Sequence, residues 1–323
     1  MSILQNKNRR ILLGTDWWTD CDDVAALRMM CRMAKRGVWT PDGVILNAAA
    51  PYAAASLLAI LRDEGFGDVP VGIDIAADDF GGRPPYQYAV AKKAGAVAAD
   101  TTPGTLGTPG TPGRPIPENA ALVNGVTLYR QMLACAADGS MELLEIGYLQ
   151  VLAALLSSPP DECSPLDGIA LVKTKVRRIW CMAGNWQEGG HGKENNFCRN
   201  ARARRAAHAV LRDCPVPVTF LGWEVGATVI AHPKEDPDDL VRIAFEAHGS
   251  PDGRSAWDPL LVLLAAHDVS GIHDAGFRAV SGRASVDAET GENFFEVKPG
   301  GSHAYVIKTM PDAWYEKQVD AWL

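Results

Sequence analysis

Short apolar runs alternate with segments of helical period along most of the chain. Ile11-Leu12-Leu13 ends at Gly14, and beyond a polar loop Val24, Leu27, Cys31 and Ala34 recur at helical spacing, which predicts strand, loop and helix. Residues 43–47 (GVILN) predict a second strand that ends on Asn47. Residues 48–62 predict a helix with Leu57, Leu58, Ile60 and Leu61 on its apolar side, and 69–73 a short third strand. The pattern continues with a helix over 118–137, a strand over 141–146, a helix over 151–157 and a strand over 176–182. A basic-faced helix over 201–213, a strand over 216–221 and an amphipathic helix ending at 247 follow. The last part reads as a hairpin over 294–307 around Pro299-Gly300-Gly301, then a helix from Asp312. Strands alternating with helices predict an α/β fold, with a mainly parallel central sheet covered by helices on both faces. Ligands of such sheets bind at the carboxyl ends of the strands, where the loop after Gly14 and Asn47 both fall.

Residues 74–117 break the alternation. Asp78 to Tyr86 is loop-like, and 101–117 (TTPGTLGTPGTPGRPIP) is a Pro/Gly/Thr tract that can bury little surface. It fits a passive insertion or a flap over the pocket. Because the same alternation runs on both sides, one domain over 1–323 with a loop excursion is expected.

Charge and composition narrow the class. A net charge of -8 and a pI near 5.4 argue against a nucleic-acid backbone or an anionic membrane as partner. No stretch approaches the length of a membrane span, and no apolar secretory segment precedes the first strand, so a cytoplasmic protein is expected. The seven cysteines are an odd number without a C-x-x-C pair, which suits reduced, mostly buried thiols.

The densest chemistry lies in the first loop, where Asp16, Asp20, Asp22 and Asp23 fall within eight residues. They fit either a solvated acidic turn with one helix cap or a site for a hard cation with oxygen ligands. Trp17 and Trp18 inside the loop weigh against the solvated turn. A glycine-rich stretch, Gln187 to Phe197, contains His191 and Glu194-Asn195-Asn196. It reads as a polar surface loop or as a binding loop whose carboxylate and carboxamide suit a diol. Asp258-Pro259 is ordinary helix-start grammar. Asp20-Cys21-Asp22-Asp23-Val24 superficially matches the Asp-x-Asp-x-Val of haloacid-dehalogenase-type phosphatases, but Thr15 to Thr19 separate it from the apolar strand. An EF-hand is excluded, since Ala25 and Cys31 stand at its glycine and closing glutamate.

Taken in order, these landmarks resemble the inosine-uridine-preferring nucleoside hydrolases. Thr15-Asp16 and Asp22-Asp23 match the opening Asp-rich signature with a longer loop, and Gly14 stands where that family has its first Asp. Asn47 matches a pocket Asn, and Gly147-Tyr148-Leu149-Gln150 the Gly-Pro-Leu-Thr segment. Met182 to Asn185 matches a Met-Gly-Gly turn, Glu194-Asn195-Asn196 a Glu-Phe-Asn triplet and Trp257-Asp258-Pro259 a His-Asp-Pro. The resemblance implies a single Rossmann-like α/β domain that hydrolyses an N-ribosyl bond with one Ca2+. Asp16, Asp23, Asp258 and the Gln150 carbonyl would be metal ligands, with Asp16 also the general base. Asp22, Asn47, Met182, Asn185, Glu194, Asn196 and Trp257 would line the substrate site. Asp20, Trp17, Trp18, Trp186, His191 and His303 are further candidates, the tryptophans to stack on the base. Trp257 replaces the histidine credited with protonating the leaving group, and an indole cannot act as a general acid. A small nucleoside-like substrate is therefore expected, in a homodimer or homotetramer. The alternatives are a catalytically impaired calcium-bound nucleoside or sugar binder and, more remotely, a metal-dependent phosphatase.

Overall fold

Ile11, Leu12 and Leu13 are fully buried in β1 (Arg10–Thr15), the strand from which the sheet spreads both ways. Ile11 and Leu13 belong to one core and Leu12 to the other, because alternate strand residues face opposite sides of a sheet covered on both. The computed structural model describes residues 9–96, 122–187, 191–267 and 275–323. The tract at 101–117 lies outside them.

The other strands of the main sheet are β2 (Thr40–Leu46), β3 (Val71–Ile73), β4 (Val123–Asn124), β5 (Met141–Glu145), β6 (Val176–Met182), β7 (Gly192–Lys193) and β8 (Val218–Leu221). The β9 (Ile230–Ala231) and β10 (Arg254–Ser255) strands pair separately, while β11 (Phe277–Val286), β12 (Glu292–Val297) and β13 (His303–Lys308) complete the main sheet. Its order is β4-β3-β2-β1-β5-β6-β8-β13-β11-β12-β7, parallel from β4 to β13 and antiparallel beyond. The chain moves outward from β1 towards β2 first and towards β5 later. The carboxyl end of β1 therefore opens at the switch point where α/β sheets bind ligands.

One face carries α1 (Asp22–Lys35), α2 (Ala53–Asp63) and α11 (Trp257–Ala266); the other carries α4 (Gly125–Cys135), α5 (Gln150–Leu156) and α8 (Ala201–Asp213). Between them in sequence come α3 (Gln87–Lys93), α6 (Gly168–Lys175), α7 (Asn195–Cys198), α9 (Trp223–Gly226) and α10 (Leu240–His248), with α12 (Asp312–Asp320) last.

Several expectations need correction. The 118–137 helix starts only at Gly125, because the Asn124 side chain accepts the N–H groups of Val126 and Thr127 and caps it there. The second helix begins at Ala53, after Tyr52 takes a left-handed conformation with φ 62°. The 294–307 segment is not a hairpin. Its two strands flank the unforeseen β11, which pairs with both. Of the cysteines, Cys21, Cys31 and Cys181 are buried, but Cys135 is exposed.

The glycine at position 14 has a structural counterpart. A Cβ there would meet Glu145 Oε2 at 2.1 Å, so the absence of a side chain makes room for this buried carboxyl from β5. Tyr129 donates its hydroxyl to Glu145 Oε1 at 2.5 Å. Burial pushes Glu145 from its ordinary 4.5 up to about 8, against the smaller opposing effect of that bond. A carboxyl raised by folding contributes stability that is full below its unfolded pKa and lost as pH rises through the folded value. The melting temperature should thus decline between about pH 5 and pH 8, and Glu145→Gln should flatten that decline by roughly 5 °C. Thermal melts across this range test it; parallel profiles would refute it.

Candidate functional site

Asp16 follows β1 directly, and its neighbours are fixed by the loop it opens. Trp18 donates its N–H to Asp16 Oδ1 at 3.2 Å. Gly147, following β5, packs so close that a Cβ would lie 2.3 Å from the Asp16 nitrogen; any other residue would displace the aspartate. Asp22 and Asp23 open α1, and Asp258 lies in the first turn of α11, packed against it. These three buried side chains each offer a carboxylate oxygen within 4.8 Å of the others. Asp22 Oδ2 accepts the Asp258 N–H at 3.0 Å, and Thr15 donates its hydroxyl to Asp23.

Burial, then mutual repulsion, hold these carboxyls well above the usual range: Asp22 faces Asp20 and Asp23, Asp23 faces Asp16, and Asp258 faces Asp22 and Asp23. Asp16 rises to about 7, first through burial and then through Asp22, Asp20 and Glu194, against the lowering effect of the Trp18 N–H. Three buried carboxylates with oxygens within 4.8 Å of one another form a donor set that fits a hard divalent ion.

The same pocket, of about 260 Å³ and so on the scale of one small molecule, is lined by Asp16, Asp20, Asp22, Asp23, Asp258, Met182, Glu194, Asn196 and Trp257. Glu194 caps α7, taking the Asn196 N–H on Oε1 (2.8 Å) and the Gly184 N–H on Oε2 (3.0 Å). Burial raises it to about 7, against the pull of these backbone donors. Asn196 donates to the Met182 carbonyl at 2.9 Å, joining the end of β6 to α7.

Other candidates are not brought to this pocket. Gln150 is the first residue of α5, so its carbonyl is directed along a helix ladder, and its amide donates to the Asn47 carbonyl. Asn47 is fully buried, and its amide is placed to donate to the carbonyls of Tyr148 (3.1 Å) and Thr15 (3.2 Å). It ties strand ends together behind the acidic loop. Asn185 exchanges hydrogen bonds with Asn293, its N–H donating to the side chain at 3.0 Å. Trp17 is buried with φ 46°, donates its indole N–H to Ser56 Oγ at 2.8 Å and meets Tyr86 edge-on. Trp18 donates to the Gly81 carbonyl at 2.5 Å, and Gln87 donates to the carbonyls of both tryptophans. The pair anchors the acidic loop instead of offering faces to a ligand. Trp186 is enclosed by Phe197, Phe220, Phe295 and Tyr305. His191 pairs with Glu292 at the β7–β12 edge of the sheet. His303 is buried, accepts the Ala284 N–H and is pushed down to about 4, chiefly by burial.

Beside Asn195 of the Glu194-Asn195-Asn196 triplet, the pocket also gathers residues that the pattern did not single out: Thr19, Ile146, Arg199, Trp223 and Arg254. Arg254 forks onto Asp20 through Nε (2.9 Å) and Nη2 (2.6 Å), and its guanidinium lies 5.3 Å from the Trp257 ring centre. Trp257 donates its indole N–H to the Trp223 carbonyl at 2.8 Å. It sits so close to Gly226 that a Cβ there would come within 2.5 Å of the ring. The signal for Arg199 and Arg254 was weak but present: each is a basic residue within three positions of a landmark motif.

No protein-family model matches the sequence, and no curated protein matches it. Solved structures do. A purine-preferring ribonucleoside hydrolase from Gardnerella vaginalis superposes with a TM-score of 0.66 at 15% identity, covering 97% of this chain and 98% of its own. An inosine-uridine-preferring nucleoside hydrolase from Bacillus anthracis gives 0.59 at 14% identity, covering 98% and 100%. The type III effector protein XopQ, solved with adenosine diphosphate ribose, gives 0.67 at 15% identity over 98% and 94%. The shared architecture runs through the strands and helices that carry the acidic pocket, and the chain has the fold of the nucleoside hydrolases over nearly its whole length.

Proposed function

We propose that the protein hydrolyses the N-glycosidic bond of a ribonucleoside or a related N-ribosyl compound, with calcium bound in the acidic pocket. The observation that carries this reading is the convergence of Asp22, Asp23 and Asp258 in one pocket with Asp16, Glu194 and Asn196, at the switch point of this fold. Asp23 and Asp258, with Asp22 and Asp16 beside them, would hold the ion. When bound, it supplies positive charge that orients sugar hydroxyls and makes a water more acidic. Asp16 takes the proton of the attacking water, as a carboxylate held by one backbone N–H and otherwise open to the pocket. Glu194 and Asn196 grip the sugar. Trp257 and the exposed Trp223 offer aromatic faces to the leaving base. The ribosyl ligand of XopQ supports the sugar part of this reading.

A second reading, a calcium-bound nucleoside binder without turnover, is favoured by one observation. Trp257 stands at the landmark histidine position with its indole N–H committed to the Trp223 carbonyl, and cannot protonate a base. Release of reducing sugar from a panel of purine and pyrimidine nucleosides, with calcium and with chelator, separates the two. Calcium-dependent release is the expected result. Saturable nucleoside binding without release would favour the binder, and absence of bound calcium would overturn both.

A further inference from the structure

Two guanidinium groups line the acidic pocket, and they are not equivalent. Arg254 is neutralised by its fork onto Asp20. Among the described residues, Arg199 has no carboxylate partner and is held by backbone carbonyls. Its Nε donates to the Phe80 carbonyl at 2.5 Å and its Nη2 to the Gly81 carbonyl at 2.8 Å. These carbonyls are themselves fixed. The Gly81 carbonyl also accepts the Trp18 indole N–H, and the Phe80 ring stacks on Tyr148 with centroids 3.7 Å apart and planes 9° from parallel. Gly81 and Gly82 both take left-handed conformations, and a Cβ on Gly82 would press Arg199 Nη2 at 3.0 Å. The result is a pre-oriented guanidinium whose two carbonyl bonds use only part of its five donors and none of its charge.

The position of this charge matters. Arg199 directly follows α7, one turn beyond Asn196, so it belongs to the wall that carries Glu194 and Asn196. The metal trio comes from other elements, the first turns of α1 and α11. If the vicinal hydroxyls of a ribose go to the ion, its remaining primary hydroxyl is the one free to carry a further group. We infer that the ribosyl ligand bears a phosphate on that hydroxyl and that Arg199 binds it, so that the substrate class is a ribosyl 5-phosphate compound such as a nucleoside 5′-monophosphate. This rests on the ribosyl reading of the pocket. A planar guanidinium matches phosphate oxygens in pairs, and charge-assisted bonds of this kind are the strong ones. None of the surrounding acids is paired with it: Asp20 is paired with Arg254, Asp22, Asp23 and Asp258 lie together at the ion position, Glu194 accepts the Asn196 and Gly184 N–H groups, and Asp16 accepts the Trp18 N–H.

Arg199 also staples the 76–82 loop to the end of α7, together with Asn200 and Arg202, and the test must separate that role from ligand binding. Ribose and ribose 5-phosphate are titrated calorimetrically into the full chain loaded with calcium, and into Arg199→Gln and Arg199→Lys. The expected result is ribose 5-phosphate binding about tenfold more tightly than ribose. That ratio should fall to within about twofold of unity in Arg199→Gln and recover partly in Arg199→Lys. In the same preparations adenosine 5′-monophosphate should be cleaved with a higher kcat/KM than adenosine, an advantage lost in Arg199→Gln. Equal affinities in the unaltered protein would overturn the inference. So would a ratio that persists in Arg199→Gln while both affinities drop together, which marks a loop staple only. Calcium binding without affinity for either sugar would instead overturn the ribosyl reading itself.

Discussion

Asp16→Asn is expected to lower sugar release by about a thousandfold while leaving the fold intact. The asparagine oxygen can still accept the Trp18 N–H that holds Asp16 in place, and the side-chain volume is unchanged. What is lost is the ability to take a proton. In the metal-free chain, burial and the neighbouring Asp22, Asp20 and Glu194 raise Asp16 to about 7, and the charge of a bound cation would bring it down again. Because that same burial penalises the charged form, the variant should melt at an equal or higher temperature than the parent when calcium is absent. Rates on the best nucleoside of the panel, with melts alongside, test both halves. Activity above a tenth of the parent level would remove Asp16 from the role of base.

Stripping calcium should abolish turnover and lower the melting temperature by roughly 5–10 °C at pH 8, but by much less at pH 5. The sign follows from Asp22, Asp23 and Asp258, whose pKa values folding raises by burial and mutual repulsion. Without an ion their contribution to stability is intact below the usual carboxylate range near pH 4 and is lost as pH rises towards their folded values. Calcium held by the trio would compete with protons for the same oxygens, so its stabilising effect should grow over that interval. Melts with calcium and with chelator from pH 5 to pH 8 should diverge as pH rises, and Asp258→Asn should collapse the divergence. A gap independent of pH, or no gap, would show that the trio does not hold the ion.

Much of the frame was legible in the pattern. β6 and α8 fall on the residues that their periodicity indicates, because a buried strand and an amphipathic helix declare themselves locally. The polar residues brought into one pocket were legible as well: Asp16, Asp22, Asp23, Glu194, Asn196 and Asp258 carry the landmarks of the resemblance. What local pattern could not convey was direction. Trp17, Trp18 and Trp186 were as plausible facing a ligand as facing the core. Their burial depends on Ser56, Gly81 and Phe220, which lie dozens of residues away in sequence. Arg254 enters the pocket only because Asp20 draws it there, and Arg199 only because the glycine turn at 81–82 receives it. The same limit explains β11. Its ten residues alternate too irregularly to announce a strand, and their pairing with β13 is settled by contacts across the sheet.

That insertion of β13 between β8 and β11 also sets a timetable for the newborn chain. The strands around β1 can assemble from the first 180 or so residues, all of which leave the ribosome early. The other half cannot close until residues 303–308 have emerged, since β8 has no parallel partner on that side before then. Synthesis at a rate of about 5–20 residues per second leaves the apolar edge of β8 uncovered for several seconds. The strands around β1 can thus assemble before Glu194, Asn196 and Asp258 arrive to complete the pocket, and chaperones would be expected to meet the chain at β8.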